Sequence, residues 1–125
     1  MVQPSYPVGD FRTDYTGITS AILQEVTTTI KDVQTDLLKL ISAKDILICH
    51  SHTSGESHRV LHLEHIMVVD TSHVFPHRDG PPKKSHIRFL AKQFLKRNIQ
   101  DKTAEFDSNE DALAVLDLMK EKTKY

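Results

Sequence analysis

A chain of 125 residues has room for one ordinary domain and not for two. Its one cysteine, Cys49, excludes an intramolecular disulfide framework and any Cys-rich zinc module. With 16 Lys and Arg against 17 Asp and Glu, the net charge of −1 removes an overall basic surface as an argument for nucleic-acid binding. Apolar runs reach only a few residues, as in Ile46 to Cys49, too short to span a membrane. The opening MVQPSYPVGDF has no basic stretch followed by an apolar one, so no secretory leader is expected. Composition predicts a soluble intracellular α/β or α domain.

Residues 1–19 read as an irregular arm, punctuated by Pro4, Pro7, Gly9 and Gly17. Thr19 or Ser20 caps a short helical turn over Ala21 to Glu25. Thr29 is the predicted N-cap of a longer helix, with Asp32 three residues on as a variant capping box. Val33, Leu37, Leu40 and Ile41 then form one stripe, expected to be buried. Asp45 to Cys49 is short, apolar and β-branched, and predicts a strand buried on both faces. A loop from His50 to Gly55 leads to a helix over Glu56 to Glu64. A second buried strand follows, from Ile66 to Asp70. Strand, helix, strand predicts parallel pairing.

Ser72 to Lys84 reads as a loop. Ser85 is the expected cap of a helix whose core face is Ile87, Leu90, Ala91, Phe94 and Leu95. Phe75, Phe89 and Phe94 are core candidates rather than base-stacking platforms. Asn98 to Phe106 connects to a last helix, capped by Ser108 with Asp111, with Ala112, Val115, Leu116 and Met119 inside. The terminal KEKTKY is expected to fray.

Several constellations carry possible chemistry. His58, His62 and His65 stand at i, i+4 and i+7, so a helix would put them on one face near His50, His52 and Cys49. Paired His at i, i+4 suits zinc or copper; the alternative is an ordinary solvated face. Arg88, Lys92 and Lys96 repeat at i, i+4 and i+8, preceded by Lys83 and Lys84. This is a candidate phosphate-contacting stripe, centred on Lys83, Lys84, Arg88 and Lys92, or again a solvated face. Asp70-Thr71 ends a strand where ligands sit in open α/β sheets, and reads as a cap on nearby amides. Cys49 reads as an inert small hydrophobe.

ILICHS, then VVDTSHVFPHRDGPPKKSHIRFLAKQFLKRNIQD, then FDSNEDA carry a further pattern, preceded by VQP, DFRTDYTGIT and KDVQTDLLKLISAKDILI. Together these strings resemble the RNA-exonuclease-1 and GOR branch of the DnaQ-like (DEDDh) 3′→5′ exonucleases, over essentially the whole chain. The resemblance implies an α/β, ribonuclease-H-like fold, a nuclear setting, RNA as substrate, and Mg or Mn as cofactor. Two metals hold the attacking and leaving oxygens, and four carboxylates hold the metals. A His five residues before the last Asp is the general base.

The resemblance also implies what to expect of each position. The strand with the family's Asp-x-Glu falls before the arm, so this chain is expected to be a single N-terminally truncated domain over 1–125, a partial ribonuclease-H-like fold. Ser57 falls at the middle-helix Asp position, or His58 after a one-residue shift, with Glu56 adjacent. Phe106 falls at the general-base position and cannot accept a proton. Asp111 alone stands where the family has a carboxylate ligand. The expectation is an exonuclease relative without hydrolysis. The alternative is a non-catalytic module that binds RNA weakly or pairs with itself or a partner chain through an open sheet edge. Metal binding by the His cluster is the third reading. A fragment of a longer product, a degenerate paralogue and a chain completed by a partner all remain open.

Overall fold

The computed structural model describes residues 1–51, 61, 64–101 and 107–124. The arm is irregular but for one turn, α1 (Thr13–Thr16), closed by Gly17 in the left-handed region at φ 67°. The helix α2 (Ser20–Gln24) is capped by Thr19, whose side chain accepts from the Ile22 amide. The helix α3 (Ile30–Leu40) opens on a full capping box between Thr29 and Asp32. Those three local expectations hold. The buried stripe does not. Val33, Leu37 and Ile41 are half-buried, and Leu40 is 77% exposed. Amphipathic spacing builds the helix, but burial needs an opposing surface, and the described residues supply little of one.

The strands β1 (Leu47–Cys49) and β2 (Val68–Asp70) pair in parallel, Leu47 opposite Val68 and Cys49 opposite Asp70. The pairing is as predicted; the burial is not. Both strands are half-buried, Ile46 and Ile66 at their entrances are exposed, and Met67 is at the edge of exposure. Among the described residues the sheet has two strands, too few to cover both faces. The predicted helix from Glu56 to Glu64 lies mostly outside the described residues.

The predicted loop after β2 begins instead with a helical turn, α4 (Thr71–Val74), capped by Asp70. Further on, Pro76 and Lys84 form an antiparallel bridge. His86, not Ser85, caps α5 (Ile87–Leu90), by accepting from the Arg88 amide. The chain then widens into a π-helical segment, Ala91–Leu95, ended by Lys96 in the left-handed region. The helix α6 (Ser108–Thr123) is capped by Asp107 rather than Ser108. It runs through most of the tail expected to fray.

The core sits in this C-terminal half. Phe75, Ile87, Leu90, Ala91, Ile99, Ala114, Val115 and Leu118 form one buried cluster, with Ile48, Val74 and Leu95 packed against it. The inward face of α6 is Ala114, Val115 and Leu118; Ala112 and Leu116 are exposed, one step off the predicted face. Phe89 and Phe94 are 58% and 44% exposed, so the expected core role falls to Phe75 alone.

Leu118 is fully buried and Leu40 is not. Leu118→Ala is expected to cost about 2–5 kcal/mol, and Leu40→Ala less than about 0.5 kcal/mol. Urea unfolding of both variants checks it; equal losses would place the core wrongly.

Candidate functional site

Chemistry-bearing side chains gather at two places. The first is the carboxyl end of the parallel pair. Asp70 leaves β2 and caps α4, accepting from the Ser72 amide at 2.9 Å and from the Ser51 amide, across the strands, at 2.8 Å. His73 Nδ1 lies 3.4 Å from its other oxygen. Asp70-Thr71 therefore acts as the predicted cap and also ties β1 to β2.

Thr71 is fully buried beside it. Its hydroxyl donates to the Cys49 carbonyl at 3.0 Å, so His50 Nδ1, 2.9 Å away, must be the donor to Thr71 Oγ. A hydroxyl whose proton is committed to a carbonyl is a tie and not a nucleophile. Desolvation holds the His50 pKa below its ordinary value, and the nearby Asp70 charge partly offsets this. Cys49 is half-buried, its Sγ 3.6 Å from the Val69 carbonyl.

The second place is the start of α6. Glu110 and Asp111 lie in its first turn, where the helix dipole favours negative charge. Asp111 is half-buried. Gln100 Nε2 donates to both its oxygens, at 3.0 and 2.8 Å, and the Gln100 amide donates to Glu110 Oε2 at 3.0 Å. Gln100 adopts φ 55°, a left-handed conformation uncommon for its type, beside fully buried Ile99. Its backbone is thus turned to aim the side-chain amide at Asp111. Composition and periodicity gave no hint of this; the only signal was a polar residue following a buried Ile.

The predicted site residues separate. Asp111 is described as above. Ser57, His58, His62, His52, Glu56 and Phe106 lie outside the described residues. His65 is not on a helix, and its Nε2 donates to the Asp45 carbonyl at 2.6 Å, so it does not extend a His face. Among the described residues, no group of three or more His, Cys, Asp or Glu is placed to hold a metal ion. The basic stripe is also broken. Lys83 is paired with Asp79 at 2.7 Å, the π-helical segment interrupts the spacing from Arg88 to Lys96, and Lys96 donates back to the Gln93 carbonyl. Arg88 and Lys92 remain exposed.

No sequence-family model matches the chain. It is 42% identical over 121 residues to RNA exonuclease 1 of Saccharomyces cerevisiae, covering 96% of this chain and 21% of that protein. It is 41% identical over 118 residues to the human RNA exonuclease 1 homolog, covering 94% and 10%. Human putative exonuclease GOR is 40% identical over 118 residues, covering 94% and 17%. The chain thus spans about a fifth or less of the relatives it matches. The structure superposes on the Neurospora crassa Pan2 catalytic unit (protease and nuclease domain) with a TM-score of 0.79 at 24% identity, covering 98% of this chain and 20% of that one. That likeness bears out the α/β fold, seen here in part. No helix among the described residues is long and apolar enough to cross a membrane.

The lowered His50 pKa has a signed consequence. The unfolded His takes up its proton at higher pH than the folded one, so acidification favours unfolding. Between about pH 7.5 and 5.5 the native chain is expected to lose more stability than the His50→Gln variant. Equal slopes in urea titrations at the two pH values would remove burial as the cause.

Proposed function

Since the chain belongs to the DnaQ-like RNA exonuclease family, we propose that it is one part of a 3′→5′ RNA exonuclease domain and that its 125 residues alone do not hydrolyse RNA. The observation that carries this reading is the setting of Asp111. Its two oxygens are met by the single Gln100 amide, and no cluster of metal-ligating side chains is found among the described residues. Two-metal hydrolysis needs several carboxylates converging within a few Å. The donor set described here does not fit Mg or Mn productively. Ser57 in the middle-Asp position is a poor ligand for a hard cation, and Phe106 in the general-base position cannot take a proton. Gln100 orients Asp111 in this reading and takes no part in bond making. By the same kinship, we place the substrate as RNA and the setting as the nucleus, and we treat 1–125 as a single exonuclease-like domain.

A second reading is a non-catalytic module that pairs through its sheet. It is favoured by apolar side chains left open at the strand entrances: Ile46 at 60% and Ile66 at 98% exposure. Among the described residues β1 pairs with β2 alone, and the edge this leaves beside such surface suits a second copy or a related chain.

The test is incubation of the purified chain with 5′-labelled single-stranded RNA and Mg²⁺ or Mn²⁺. The expected outcome is no ladder of shortened products. Trace loss that persists in Asp111→Asn is contamination and leaves the proposal standing. Stepwise 3′ trimming abolished by Asp111→Asn would overturn it.

A further inference from the structure

A groove of about 1020 Å³ opens at the far end of α6 from Asp111, between α4, α5 and the π-helical segment. Lys122 stands eleven residues beyond Asp111 on α6, about 16 Å along the helix axis. The groove therefore belongs to neither polar cluster described above.

Its lining combines two chemistries. Phe89 and Phe94 present 58% and 44% of their surface, although the neighbouring Leu90 is buried and Leu95 half-buried. The Phe94 ring leans on Phe75, centroids 4.9 Å apart, which fixes its plane. Around the rings stand Arg78, Lys96 and Lys122. The Lys122 ammonium sits 5.6 Å over the Phe75 ring. Glu121 is the only carboxylate of the lining, and it is paired with Lys124. Arg78 has Asp79 at 3.8 Å, but Asp79 is held more closely by Lys83 at 2.7 Å. Lys96 donates to a main-chain carbonyl and meets no carboxylate among the described residues.

We propose that this groove binds single-stranded RNA, with unpaired bases stacked on Phe89 and Phe94 and phosphates held by Arg78, Lys96 and Lys122. Exposed aromatic faces beside cations are the chemistry of sequence-tolerant single-strand binding. A duplex hides its base faces and offers the rings nothing to stack on. An acidic peptide meets the cations but not the rings. The groove and its stacking chemistry rest on the lining and use no metal or hydrolytic step; the choice of RNA over DNA as the single strand rests on the exonuclease reading.

The test is fluorescence anisotropy of a short labelled oligouridylate with the 125-residue chain in EDTA at low salt. EDTA removes two-metal hydrolysis, so failure here is separate from failure of the exonuclease reading. Phe89→Ala is expected to weaken binding about fivefold to a hundredfold, the stacking contribution of one base. Its side chain lies outside the buried cluster, and an unchanged thermal melt shows that the variant folds. Lys122→Ala is expected to lower the salt dependence by about one phosphate contact. Duplex RNA is expected to bind less tightly than the single strand. Binding indifferent to Phe89, equal affinity for the duplex, or equal displacement by an acidic peptide would each overturn the proposal.

Discussion

The buried cluster of this molecule is built on one packing contact, α6 laid against α5 and the π-helical segment. Leu90, Ala91, Ile99, Ala114 and Leu118 are the nearly or fully buried apolar side chains of that contact. Each one removed from water contributes roughly in proportion to its apolar area, and Leu23, the buried side chain of α2, lies outside their cluster. A parallel two-stranded ladder cannot sustain a core by itself. Ile48 of β1 and Val74 of α4 gain their cover from the helical pair. Among the described residues the strands are thus packed against the helical pair through Ile48, while Ile46 and Ile66 at their entrances stay exposed.

That asymmetry explains which parts of the fold were legible in the sequence. Caps are local: Thr29 and Asp32 need only each other, and Thr19 needs only the Ile22 amide. Parallel pairing was legible because two β-branched runs flank a segment long enough for a crossover. Burial was not legible, because it depends on what opposes a face. The stripe of α3 is regular and yet uncovered, while α6 turns Ala114 and Leu118 inward instead of Ala112 and Leu116. Cap positions also slipped by one residue, at His86 and Asp107, because both side chains reach an amide two residues on.

At the candidate site the sequence and the structure carry different information. Position in a familiar string is what proposes Asp111 as a ligand and Ser57 and Phe106 as replacements. It did not identify Gln100, whose importance lies in a left-handed backbone and two hydrogen bonds to one carboxylate. That turn links the core to the site, since Ile99 is buried and Gln100 beside it points at Asp111. A carboxylate so held is pre-oriented, which is what a metal ligand needs from its neighbours. Among the described residues it has no third metal-ligating partner beside it and Glu110, and orientation does not substitute for number.

Net charge is a sum, and a sum hides where charges lie. The chain's −1 arises from carboxylates spread over caps and helix starts, where Asp32, Asp70, Asp107 and Asp111 accept from backbone amides or Gln100. Carboxylates used in this way are fixed to the fold's own donors. In the groove Arg78, Lys96 and Lys122 stand with one carboxylate, Glu121, among the described residues, so a positive patch forms on a chain whose total is slightly negative. The exposed phenylalanines follow a similar logic. The π-helical segment shifts which residues face inward, and buries Ala91 while turning Phe94 partly out. One irregular turn of helix thereby sets both the shape of the core and the aromatic surface beside it.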